Sequence, residues 1–160
     1  MNKIKQYVSA LAVLLMISAC VSTDSTSKKV EHHVGEITSV SLLKEYDSFS
    51  TEYERFQVEQ AQISVLESLP KGLALDIYFG TWCHDSHREV PRMLKAMTYT
   101  NNIETTLIAL DFNKQDPQGL STSAGIKFTP TFVVKLNGKE IGRIVERPQI
   151  DLVTDIKNML

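Results

Sequence analysis

A cysteine follows the only tryptophan of the chain, and a serine stands three residues later: residues 82–87 read Trp-Cys-His-Asp-Ser-His. Cys83 is one of two cysteines, the other being Cys20 near the N-terminus, so no internal Cys-x-x-Cys disulfide can close here. A lone thiolate can still attack a disulfide and form a mixed disulfide, whose release then needs a second thiol from outside. Cys83 is expected at the start of a helix carrying Val90, Leu94 and Met97, where unpaired backbone N–H groups and the helix dipole favour the thiolate. His84, His87 and Arg88 add positive or polarisable groups nearby, and Asp85 opposes them. Ser86 can donate a hydrogen bond to the sulfur but cannot attack a mixed disulfide. The run from Gly80 to Glu89 is polar and follows a strand end, where α/β sheets place their ligands, which argues against Cys83 being only a small buried hydrophobe.

The elements that must position this thiol alternate in type. Residues 38–56 place Val40, Leu43, Tyr46, Phe49 and Tyr53 at three- and four-residue intervals, the pattern of one or two short amphipathic helices. A further helix fits residues 59–69 and is ended by Pro70-Lys71-Gly72. Residues 73–79 read as a buried strand and 105–112 as another. Residues 131–146 read as a hairpin turned at Asn137-Gly138. A C-terminal helix is expected to bury Ile150, Val153, Ile156 and Leu160 on one face. The order gives an α/β fold, a central mixed β-sheet flanked by helices, with extra helices on its N-terminal side. At 160 residues and 42% hydrophobic content there is room for one packed core.

Residues 1–19 carry Lys3 and Lys5 ahead of an apolar run from Ala10 to Ala19, too short to span a bilayer and built like a secretory signal. Ile17-Ser18-Ala19-Cys20 resembles the lipobox of bacterial lipoproteins, in which Cys20 becomes the lipidated first residue of the mature chain. Ile17 is too bulky for an ordinary small-residue cleavage site. Removing residues 1–19 leaves fifteen basic against nineteen acidic residues, a formal charge of −4, so nothing points to nucleic acid and membrane attachment must come from lipid. Val21, without aspartate at that position, directs such lipoproteins of Gram-negative bacteria to the outer membrane, facing the periplasm. Residues 20–36 are polar and lack apolar periodicity, the composition of a flexible tether, and His32-His33 is read as part of this solvated linker and not as a metal site. The domain then spans residues 37–160.

The motifs around the thiol resemble the thioredoxin family. Phe-Gly-Thr-Trp-Cys-His-Asp-Ser at a strand-to-helix junction, Pro91 eight residues after the cysteine, Gly125-Ile-Lys-Phe-Thr-Pro-Thr-Phe-Val-Val134 and the Asn-Gly hairpin fall in the family's order over roughly residues 60–160. The resemblance implies a thioredoxin-like fold, a helix kinked at Pro91, and a cis Thr129–Pro130 bond facing Cys83, with the Thr129 backbone pairing an extended partner. Trp82 and His84 would border the same groove. Two departures stand out: Ser86 replaces the resolving cysteine, and the position of the family's buried acid, six residues before the first cysteine, is Ile77. Asp76 is offset by one and should point to the opposite face.

What remains is a monothiol oxidoreductase-like protein of the cell envelope, with Cys83 and Ser86 at its centre and thiol- or disulfide-containing envelope proteins or small thiols as partners. The resemblance implies no cofactor. A non-catalytic module that holds extended peptides in the Cys83/Pro130 groove is a second reading. A metal site from Cys83, His84 and His87 is a third, for which no spaced second cysteine speaks. A peroxidatic cysteine is weaker again, because Gly80 stands where peroxiredoxins carry a threonine.

Overall fold

The computed structural model describes residues 31–160, so the signal segment, Cys20 and most of the tether lie outside the described residues. Eleven elements follow in order: β1 Gly35–Glu36, α1 Ser39–Glu45, α2 Asp47–Arg55, α3 Gln60–Ser68, β2 Leu73–Phe79, α4 His84–Met97, β3 Ile103–Ala109, α5 Leu120–Ser123, β4 Thr131–Leu136, β5 Lys139–Val145 and α6 Leu152–Lys157. The strands form one five-stranded mixed sheet in the order β1-β3-β2-β4-β5. β2 is its centre, parallel to β3 and antiparallel to β4. This is the α/β arrangement expected from the sequence, including the helices ahead of β2. Among the described residues no helix is long and apolar enough to cross a membrane.

Side chains alternate along β2, and the two faces are unequal. Leu73, Leu75, Ile77 and Phe79 enter the main core with Leu107, Phe132 and Val134 under α1–α4 and α6. Tyr78 joins a smaller cluster with Ile108, Leu110, Ile126 and Val133, packed against Leu120 of α5. Asp76 shares the Tyr78 face and forms an ion pair with Lys135. Burial, with Asp76 and Asp116 as nearby negative charges, pushes the Tyr78 phenol up to about 12.

The 38–56 segment is two helices because Tyr46 is extended between them, at φ −126° and ψ 97°. Thr38 caps the first by accepting the Ser41 N–H. The face that α1 turns to the core carries Leu42, four residues before the buried Tyr46, so Leu42 is fully buried and Val40, expected on the core face, is 75% exposed. Glu52, buried in α2, accepts from Arg92 of α4 at 2.6 Å and also pairs with Arg55, which clamps α2 onto the thiol-bearing helix. Burial alone would raise the Glu52 carboxyl, but the two guanidinium groups outweigh it and hold it below the usual range.

Other boundaries moved for local reasons. β3 ends at Ala109 and not at Phe112, because the Leu110 carbonyl is taken by a side chain of the thiol loop. α6 begins at Leu152, since the Asp151 carboxylate accepts the N–H groups of Val153 and Thr154, each at 3.0 Å. Ile150 and Leu160 therefore fall outside the helix and are exposed, and Leu152, Val153 and Ile156 form its buried stripe. Asn137 and Gly138 both have positive φ, 51° and 80°, as a two-residue hairpin turn with matching twist requires. β1 and α5 carry no periodic signal. α5 exists because Asp116 accepts from Gln118, Leu120 and Ser121 N–H groups; burial raises this carboxyl, and those donors bring it below the usual range.

Residues 31–36, read from the sequence as tether, lie against the domain. Gly35 and Glu36 pair with Ala109 and Ile108. The His33 N–H donates to the Tyr46 hydroxyl, which donates to the Glu31 carbonyl at 2.9 Å. His32 reaches the thiol loop, with Nδ1 3.3 Å from the Thr81 hydroxyl.

Candidate functional site

β2 ends at Phe79, and the chain turns at once: the Cys83 N–H donates to the Gly80 carbonyl at 3.0 Å. Cys83 is then the N-cap of α4, with extended backbone, and its carbonyl accepts the first intrahelical bond from His87 at 3.0 Å. α4 runs on through Pro91, whose missing N–H leaves the His87 carbonyl without that helical partner.

The thiol is free and partly exposed. It donates to the Thr129 carbonyl at 3.2 Å, and the Thr129–Pro130 bond is cis, as the family resemblance led us to expect. Thr129 and Pro130 are themselves buried. The Thr129–Pro130 loop is fixed from both sides: the Thr131 hydroxyl donates to the Phe128 carbonyl at 2.8 Å, and the Glu146 N–H donates to the Pro130 carbonyl at 2.7 Å.

Ser86 has no exposed surface, and its oxygen accepts the Gly80 N–H at 3.2 Å. The hydrogen bond expected from Ser86 to the sulfur is replaced by these two separate contacts, serine to Gly80 and thiol to Thr129. Ile77, at the position of the family's buried acid, is fully buried. Asp76 faces away, as alternation requires.

The charged neighbours of Cys83 are largely spoken for. Asp85 lies 2.9 Å from Arg88 and 3.3 Å from Arg147, and Arg88 also meets the buried Glu89 at 2.6 Å. Burial works against the Arg88 charge, but Glu89 and Asp85 more than offset it and raise its affinity for the proton. His84 is exposed. His87 is engaged by the loop backbone and the core, with Nε2 2.8 Å from the Thr81 carbonyl and its ring 5.0 Å from that of Phe49. Cys83 and His87 are thus engaged by different backbone carbonyls, and among the described residues no group of three or more His, Cys, Asp or Glu side chains forms a metal-ligand set.

Trp82 is held more tightly than its sequence position discloses. Its indole N–H donates to the Leu110 carbonyl at 3.0 Å, its ring stacks on Phe112 at 4.9 Å and 27°, and Lys114 lies 5.7 Å above it. His32 meets Phe112 edge-on at 5.3 Å. Phe112, Phe128, Thr81, Arg147 and His32 were not legible as site residues. Phe112 was hidden because the strand was read through it, and Arg147 reaches Asp85 across 62 positions of sequence.

Gly80 is required by this packing. A Cβ there would stand 2.6 Å from the Trp82 ring, closer than real contacts allow, and the ring is rigid. Gly80→Ala should displace the indole from Leu110 and Phe112, at a cost of about 2 kcal/mol from one hydrogen bond and one aromatic contact. Because Trp82 is the sole tryptophan, its emission reads the displacement directly; unchanged emission in a variant of unchanged stability would contradict this packing.

The family described as Thioredoxin matches the sequence over residues 39–157. Among solved structures, a protein of unknown function from Pseudomonas aeruginosa is similar with TM-score 0.59 and 19% identity, covering 74% of this chain and 75% of that one. An HIV epitope-scaffold is similar with TM-score 0.57 and 20% identity, covering 72% and 74%. Thioredoxin from Fasciola hepatica aligns at TM-score 0.47 and 21% identity, covering 56% and 84%. No curated protein matches the chain in sequence. At these identities the structural likenesses concern the fold.

Proposed function

The chain belongs to the thioredoxin family, and from that premise we propose that it works as a monothiol thiol–disulfide oxidoreductase-like protein of the bacterial cell envelope, acting through Cys83. The observation that carries this reading is a partly exposed thiol held at a helix N-cap against the Thr129 carbonyl, with a buried serine one turn further on. On a partner disulfide, the Cys83 thiolate bonds to one partner sulfur as the partner's own S–S bond breaks, and the other partner sulfur leaves as a thiolate. Ser86 carries no thiol, so the mixed disulfide persists until an external thiolate attacks the partner sulfur and expels Cys83 as a thiolate. Trp82, His84, Thr129 and Pro130 are the proposed partner contacts, with the Thr129 backbone meeting an extended segment.

Lipid on Cys20 would hold the protein at the membrane, and Val21 favours the outer membrane, facing the periplasm. The partners are then envelope proteins with thiols or disulfides, or small thiols. The test is acid-quenched trapping in whole cells expressing full-length wild type or Cys83→Ser. Wild type should carry adducts released by dithiothreitol, and Cys83→Ser should carry none. Mass spectrometry of the N-terminal peptide should find acyl chains on Cys20, and a free thiol there would remove the anchor. Absence of adducts on the wild type would sink the thiol chemistry and leave the groove as a non-catalytic holder of extended peptides.

A further inference from the structure

The phenylalanines of the domain divide sharply. Phe49, Phe79 and Phe132 are fully buried and Phe56 is half-buried, whereas Phe112 is 63% and Phe128 51% exposed. Both exposed phenylalanines are tied to residues at the thiol. Phe128 directly precedes Thr129, whose carbonyl meets the sulfur, and Phe112 stacks on Trp82, which directly precedes Cys83. Phe112 is not a loose side chain, because Trp82 holds one side of it and His32 an edge, with His32 tied in turn to Thr81. A fixed aromatic surface left open to water offers apolar area with little ordering cost on binding.

Resting on the thiol chemistry proposed above, we infer that Phe112 and Phe128 select the partner: an extended polypeptide with a large apolar side chain next to its reactive cysteine, in preference to polar segments or small thiols. A small polar thiol can reach Cys83 but leaves both rings uncovered. A peptide lying along the Thr129 backbone places the side chains flanking its cysteine toward the Trp82–Phe112 side and the Phe128 side. Lys114 above Trp82 and Lys127 beside Phe128 are compatible with a segment that also carries acidic residues.

The experiment uses two short peptides whose single cysteine carries thionitrobenzoate, one with Phe and one with Ser adjacent to that cysteine. Cys83 thiolate bonds to the peptide sulfur, the S–S bond to thionitrobenzoate breaks, and the coloured thionitrobenzoate thiolate leaves with the electron pair, so one turnover needs no resolving thiol. Wild type should release colour from the Phe peptide about tenfold faster than from the Ser peptide. Phe112→Ala and Phe128→Ala should each reduce that ratio, and the double variant should bring it close to one. The ratio is the readout, so a general change in thiol reactivity cancels, and both rings are exposed enough that their removal opens no core cavity. Equal rates in wild type, or an undiminished ratio in the double variant, would overturn the selectivity while leaving the thiol chemistry standing. Failure of wild type to release colour from either peptide would overturn the thiol chemistry itself.

Discussion

Ser86→Cys is expected to convert a single-turnover thiol into a reversible dithiol couple. Cys83 is the N-cap of α4 and position 86 is one turn further along, a separation of about 5 Å between Cα atoms that lies within disulfide reach. The serine oxygen already sits in a fully buried pocket beneath the loop, held by the Gly80 N–H, and a sulfur there differs mainly in size. Weakening that hydrogen bond costs about 1 kcal/mol, small against a domain's total stability. Turnover should remain slow, because Ile77 offers no carboxyl for proton transfer, a form of assistance worth on the order of 10²-fold or more. Reduction of a model protein disulfide by wild type, Ser86→Cys and Cys83→Ser, with a regenerating reductant, should show multiple turnovers in the double-cysteine form alone. If oxidised Ser86→Cys contains no internal disulfide, the two positions are not arranged as described.

The parts of this molecule that the sequence discloses are those whose pattern is local. β2 is legible from Leu73 to Phe79 because a central strand with both faces covered is apolar along its length, broken here only at Asp76, and the hairpin is legible because Asn137-Gly138 supplies the two positive φ values its turn demands. α5 is invisible because a four-residue helix has no period, and its cause, the Asp116 carboxylate, resembles any loop acid. The same division holds at the site. Cys83 and its serine could be read from spacing, and Thr129–Pro130 through family resemblance. The aromatic group of Trp82, Phe112 and His32 joins three segments that only the folded sheet brings together. His32 shows why composition misleads: a polar segment reads as linker, yet one ring contact and one hydrogen bond are enough to seat it on the thiol loop.

The largest effect on stability is expected from Phe49→Ala, far in sequence from the thiol but close to its support. Phe49 is fully buried where α2 crosses α4, and its ring meets Phe79 at 5.7 Å, His87 at 5.0 Å and Tyr46 at 6.2 Å, all edge-on. Truncating a buried phenylalanine removes its transfer free energy and leaves a cavity, about 3–5 kcal/mol together, a large fraction of the 5–15 kcal/mol typical of a domain. The clamp of Glu52 on Arg92 limits how far α2 can collapse into the gap, which places the loss toward the upper part of that range. The damage should also reach the site by a definite route. His87 loses the ring that orients it, and His87 holds the Thr81 carbonyl at 2.8 Å in the loop that carries Trp82 and Cys83. Urea unfolding should therefore report the stability loss, and below the transition the emission of Trp82 should report a loosened loop. Phe49→Leu should retain most of the stability by filling the space, yet it cannot restore the aromatic contact with His87, so its emission should stay closer to that of the alanine variant. A Phe49→Ala variant that lost less than about 1 kcal/mol would mean that the α2–α4 crossing does not rest on this ring.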